Sequence, residues 1–170
     1  MDTAIDSGRQ RMWTGALVVA SLLGVSCIRL HAQATPEEAV RAFFAAASGE
    51  AGTQPITNLL TLFTQNGQLL TVQSPDSVAH IVARSPVEYV ESSRAYLASN
   101  TQYETPLRLR VNEYGNVGNV FCSFEARRSP NDAPFYRGVA SFQLLRVGAD
   151  WRIVTAYWQG ERPGRPLPAR

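Results

Sequence analysis

The sequence predicts an α+β fold, with three helices in the N-terminal half and a mainly antiparallel sheet of about six strands. Apolar residues between Thr35 and Asn100 recur at three- and four-residue spacing behind helix-cap signals. From Thr101 to Gln159 the period changes to two, in four long runs separated by turn residues. Ahead of both lies a stretch with the pattern of a targeting segment, which is set aside from the fold.

That stretch covers residues 1–34. Arg9 and Arg11 form a short basic region, and Trp13 to Val25 carries no charge. The run is shorter than the ~20 apolar residues of a membrane-spanning helix and suits the core of a signal peptide. Ala32-Gln33-Ala34 places small residues at alternate positions, as signal peptidase requires, so cleavage after Ala34 and export to the periplasm or the medium are expected. A second reading uses Gly24-Val25-Ser26-Cys27, a small residue before cysteine as in a bacterial lipobox, with Gly24 where leucine is usual. Lipidation of Cys27 is the only membrane association the sequence implies, and residues 28–34 would then be a tether.

Thr35 suits an N-cap, Pro36 the first helical turn, and Glu38 stands three residues beyond the cap, a capping-box pattern. Ala39, Val40, Phe43, Phe44 and Ala47 follow at helical spacing until Gly49 and Gly52, predicting a helix over 36–48. Ile56, Leu59, Leu60 and Phe63 predict a second helix over 55–64, stopped by the turn signal Asn66-Gly67. Gln68 to Gln73 and Val78 to Val82 read as short strands on either side of Ser74-Pro75-Asp76. Ser85-Pro86-Val87-Glu88 repeats the cap logic, and Val87, Val90, Arg94 and Leu97 predict a third helix over 86–99 with these residues on one face. Leu107 to Tyr114, Val117 to Arg128, Phe135 to Val147 and Trp151 to Gln159 then predict an antiparallel meander of hairpins. The domain is placed at 35–160, with the proline-rich residues 161–170 a flexible tail.

Composition excludes several functions. All 16 cationic residues are arginines against 14 acids, a net charge of +2, which gives no electrostatic footprint for nucleic acid. Arg127-Arg128 is the densest basic spot, and adjacent strand residues point to opposite faces. Past Ala34 only Cys122 remains, so no intrachain disulfide is expected there; among apolar neighbours it reads as a core residue. Past the leader's His31, His80 is the only histidine, and no set of ligands has metal-binding spacing. Gly115-Asn116-Val117-Gly118 lies in a hairpin without a following helix, so it is no phosphate loop. No cofactor is implied.

Three segments in this order, Glu38 to Phe44, Leu59 to Thr64, and Phe142 to Arg146 with Asp150 to Val154, resemble the nuclear transport factor 2-like (NTF2-like) superfamily, over about residues 35–160. The superfamily includes the SnoaL-like cyclases, ketosteroid isomerases and scytalone dehydratases. The resemblance implies a cone in which a curved sheet wraps the helices and leaves a pocket at its open end, and it implies a homodimer, since relatives often pair. It does not settle function. In the isomerases the general base follows the first short strand just before a proline, and the matching residue here is Ser74. The tyrosine that stabilises their oxyanion falls on Ala42, so both isomerase positions lack the required chemistry.

Aromatic residues are the remaining candidates for a pocket. Tyr89 and Tyr96 stand seven apart on the third helix, and Tyr103, Phe121, Tyr136, Tyr157 and Trp158 lie on predicted strands. Core and interface packing is the plainer use of such residues. Glu125 is the candidate catalytic acid: it shares strand parity with Phe121 and Ser123, and burial on a pocket face would raise its pKa. If Val120, Cys122 and Phe124 face inward instead, Glu125 lies on the other face, and the sequence leaves this parity open. Asp76 is a poorer acid candidate. Arg108 and Arg110 alternate with apolar residues and so share one face, where they could bind a carboxylate ligand, although solvent-facing charges are the default reading. Three functions follow in order: binding of a small apolar or amphipathic molecule in the cone, proton-transfer catalysis of the cyclase, isomerase or dehydratase type, and homodimeric assembly through an apolar outer face.

Overall fold

The computed structural model describes residues 33–73 and 79–167. Residues 1–32 of the expected leader, Cys27 among them, and Ser74 and Asp76 lie outside them. Helix α1 (Pro36–Ala46) opens with the expected capping box: the Thr35 side chain accepts from the Glu38 N–H at 3.1 Å and Glu38 accepts from the Thr35 N–H at 3.1 Å. Its buried face carries Ala39, Val40, Phe43, Phe44 and Ala46, while Glu37 and Arg41 pair outside at 2.7 Å. The second helix is a short 3-10 helix, Ile56–Leu62, which buries Ile56, Leu59 and Leu62. Strands β1 (Phe63–Gln73) and β2 (His80–Arg84) follow, then helix α2 (Pro86–Ser99) behind a second capping box built by Ser85 and Glu88. Strands β3 (Tyr103–Tyr114), β4 (Val117–Arg127), β5 (Tyr136–Val147) and β6 (Asp150–Gly160) form the meander.

The six strands make one sheet in the order β2-β1-β6-β5-β4-β3, antiparallel throughout except for the parallel pair β1 and β6. Gly115 (φ 59°) and Gly148 (φ 65°) supply the left-handed residues that two-residue hairpin loops need. Two expectations are corrected. Asn66-Gly67 is not a turn ending a helix but part of β1, where the pairing with β6 shifts register between Phe63 and Gln68. A Cβ on Gly67 would stand 2.6 Å from the Phe63 ring, so the glycine lets that ring fold back over an irregular strand. On α2 the buried stripe is Pro86, Val90 and Leu97, leaving Val87 and Arg94 exposed. Within residues 161–167, Arg162 and Arg165 bridge across a turn at Gly164 (φ 77°), and the Glu161 carboxylate accepts from the Leu167 N–H at 2.8 Å.

Strand parity divides β4 and β5 into inner and outer faces, and β6 changes parity between Ile153 and Ala156, where its register with β5 shifts. Val120, Cys122, Phe124 and Ala126 of β4 point into the core with Ala140, Phe142 and Leu144 of β5 and Ile153 and Ala156 of β6. Cys122 is buried as expected, and loss of solvent pushes its thiol up to about 12, too high to supply a thiolate. Trp151, 1% exposed, closes the α1 end: a Cβ on Gly118 would lie 3.0 Å from its ring and 3.2 Å from Pro36. Trp151→Ala is expected to cost about 3–5 kcal/mol, measured by urea denaturation, because the ring leaves a cavity that neighbouring strands cannot close.

Candidate functional site

The inner face of the sheet is stepped in size. In one register row Glu104 of β3 pairs with Ala126 of β4, which pairs with Tyr136 of β5. In the next inward-facing row Phe124 meets Gly138 and Gly138 meets Gly160. In the next, Cys122 meets Ala140 and Ala140 meets Trp158. Small residues along the middle strands form a floor, and large ones on flanking strands and helices form walls. The glycines are required by contact: a Cβ on Gly138 would lie 2.8 Å from the Phe124 ring, and one on Gly160 would lie 2.7 Å from the Tyr136 hydroxyl oxygen.

The result is a chamber of about 270 Å³ between the sheet and α2, backed by a recess of about 40 Å³. Tyr89, Glu104, Tyr136 and Trp158 line both. Tyr96, Phe135 and Gln102 border only the chamber, and Phe43, Phe44 and Phe124 only the recess. The rings of Tyr89 and Trp158 meet edge to face, with centroids 5.6 Å apart and planes at 80°, so they form a corner.

Glu104 is the acid of this cavity. The end of α1 fixes its backbone: its N–H donates to the Ser48 hydroxyl at 2.8 Å, and that hydroxyl also contacts the Phe44 and Glu104 carbonyls. The Gln102 amide donates to its carboxylate at 3.0 Å. None of the ion pairs among the described residues includes Glu104. Burial pushes its carboxyl up to about 7. The same burial, and then the nearby Glu104 charge, raises the Tyr89 and Tyr136 hydroxyls above the ordinary phenol value. Both phenols are therefore neutral donors beside a carboxyl poised between its two forms.

Of the residues singled out from sequence, Tyr89, Tyr96, Tyr136 and Trp158 come together in this cavity. Tyr103, Phe121 and Tyr157 do not line it, and Phe121 and Tyr157 are 45% and 41% exposed. Glu125 lies on the opposite face from the cavity, as Val120, Cys122 and Phe124 point inward, yet it is only 4% exposed. Its carboxylate pairs with Arg127 at 2.6 Å, and its register neighbour Arg137 pairs with Glu161 at 3.2 Å. It is a member of a charged network on the outer face. His80, Arg108 and Arg110 are exposed, and Ala42 is partly buried against the core. Among the described residues no three His, Cys, Asp or Glu are grouped to hold a metal. Alternation along the chain starts this strand at Leu107, whereas its pairing starts at Tyr103, so the sequence pattern does not single out Glu104.

No protein-family model and no curated protein sequence matches the chain. Solved structures do. A protein of unknown function with a cystatin-like fold from Nostoc punctiforme aligns at TM-score 0.56 and 11% identity, over 80% of this chain and 99% of its own. An NTF2-like protein with a cystatin-like fold from Novosphingobium aromaticivorans gives 0.55 and 14%, over 75% and 83%. A candidate dehydratase of the NTF2-like family from Streptomyces avermitilis gives 0.54 and 15%, over 77% and 92%. The chain has the NTF2-like fold that its element order implied.

The raised Glu104 carboxyl links stability to pH. Between its ordinary value near 4.5 and about 7 the folded chain holds a proton that the unfolded chain has lost, so this group's contribution declines as pH rises through that window. Glu104→Gln is expected to melt a few degrees above wild type at pH 8 and level with it near pH 4.5, measured by thermal denaturation across that range.

Proposed function

We propose that the cavity binds a small apolar or amphipathic molecule, with Glu104 as its polar anchor. One observation supports this above the others: an acid without a cationic partner stands in an aromatic chamber, where an unoccupied site bears its desolvation without return. A carboxyl placed only for structure is ordinarily paired, as Glu125 is here. The chamber offers apolar walls for the body of a ligand and three polar side chains, from Glu104, Tyr89 and Tyr136, converging on one end.

Proton-transfer catalysis is the extension of the same reading. A carboxyl near 7 exchanges a proton readily at neutral pH, and neutral phenols can donate to developing negative charge. The candidate dehydratase among the structural neighbours shows only that the fold admits such a reaction. The catalytic assignment moves from Glu125 to Glu104, with Tyr89 or Tyr136 as donor.

Assembly has separate support on the outer face. Phe121, Ser141, Tyr157 and Leu70 form one register row there, and exposed Ile81 pairs with Val72 two positions along β1. Such a stripe suits a second copy of the same sheet in a homodimer. Export, with or without lipidation at Cys27, remains part of the proposal from the leader sequence alone.

Two outcomes are expected. Small aromatic and alicyclic compounds should raise the melting temperature of wild type, and Tyr136→Ala should abolish the shift without unfolding the chain; a panel giving no shift in wild type would remove the pocket reading. Light scattering should report a dimer that becomes monomeric in the Phe121→Arg, Tyr157→Arg double variant, and a wild-type monomer would remove the assembly reading.

A further inference from the structure

The small-molecule reading can be taken further, to the charge of the ligand. Both cavity linings contain an acid and several rings but no arginine, although every cationic side chain of this chain is an arginine and 12 lie in the described residues. We infer that the ligand is an organic cation, an ammonium on an apolar body, whose charged end enters the recess against Glu104 and among the rings of Trp158, Tyr89 and Tyr136. The inference rests on the pocket reading above.

Three features of the site support that choice. The first is charge balance. An anion entering the recess would meet the Glu104 carboxylate in a medium of low polarity, and a neutral molecule would displace water from it without compensation. A cation restores what burial removed. The second is the lining: aromatic rings present negative faces to a cation, and the attraction grows when water is excluded. The recess is lined by the corner of Tyr89 and Trp158 at 80° and by Phe124 and Tyr136, whose planes meet at 51°, and rings at such angles suit a point charge better than a flat ring. The third is size. The recess of about 40 Å³ is much the smaller space, so it takes a small head group, and the chamber of about 270 Å³ beyond takes the apolar body.

The groups around the acid agree. Tyr89 of α2 and Tyr136 of β5 are neutral phenols, and Gln102 donates to the Glu104 carboxylate. At the rim the guanidinium of Arg128 stands 4.1 Å from the Phe135 ring centroid and 5.8 Å from that of Tyr96, and donates to the Thr101 carbonyl at 3.0 Å. Phe135 and Tyr96 border the chamber only, so this cation does not enter the recess. It shows instead that the rim aromatics already hold a planar cation.

The test is calorimetry of the purified protein at pH 7, in two buffers of different ionisation enthalpy, with three probes that share the phenethyl body: phenethylammonium, its neutral alcohol 2-phenylethanol, and 3-phenylpropionate. The cation is expected to bind about ten-fold more tightly than the alcohol. Because a positive charge favours the ionised acid, about half a proton should leave per cation bound, whereas a neutral ligand would draw protons in. Glu104→Gln, with its fold confirmed by thermal melting, should lose the preference and the proton release together. Trp158→Leu, which keeps the acid, should weaken the cation more than the alcohol. Tighter binding of the alcohol or the propionate, or proton uptake, overturns the cation inference and leaves the pocket reading standing; no binding by any probe, with no shift from the wider panel, removes both.

Discussion

Phe43 and Phe44 sit side by side on α1, and successive helical residues diverge by about 100°. Both are nonetheless buried, which a flat sheet beneath the helix could not achieve. Phe43 meets Phe63, Phe142 and Trp158, while Phe44 meets Phe124 and Phe142, so the two rings reach toward different flanks of the same sheet. Wrapping the sheet about this helix is the condition for burying both. The chamber is the part of the concave surface that α1 is too short to fill.

That division of space explains the contrast between two acids. Glu104 and Glu125 stand on adjacent strands, and Glu125 pairs in register with Thr105, next to Glu104. One residue of parity separates them, and their environments differ entirely. Glu125 has an arginine beside it on its own strand and another in register across the next. Glu104 has a glutamine, two phenols and an indole. A buried carboxylate without a cation is costly, and its usual response is to hold its proton. The energetic load of the site is therefore concentrated on one group, which is common where a surface is kept for something outside the protein.

Much of the framework was legible because its signals are local. Thr35 with Glu38 and Ser85 with Glu88 mark helix starts by their own hydrogen bonds, and Gly115 and Gly148 mark turns by their backbone angles. Asn66-Gly67 misled because the same dipeptide serves a hairpin or a bulge, and only the neighbouring strand decides which. Tyr89, Tyr96, Tyr136 and Trp158 could be named but not separated from Tyr103, Phe121 and Tyr157, since alternation gives two faces without saying which is concave. Glu125 drew attention through its aromatic neighbours, whereas Glu104 precedes Pro106 at the irregular start of an edge strand, where β3 and β4 shift register between Pro106 and Leu109. A bulge resets parity, and counting along the chain cannot see it.

Gly138 and Gly160 face each other across β5 and β6 with an aromatic ring lying over each. Their lack of side chains sets the depth of the concavity, since the rings rest on backbone. Depth is thus encoded separately from topology: strand order, caps and hairpins are specified elsewhere, while a methyl group at either glycine would displace the ring above it and, at Gly138, meet the Gln159 carbonyl oxygen at 2.6 Å. A lineage carrying this sheet can alter which molecules it admits through positions that touch neither the helices nor the turns. The same scaffold can therefore diversify in ligand while every signal that makes it fold is preserved.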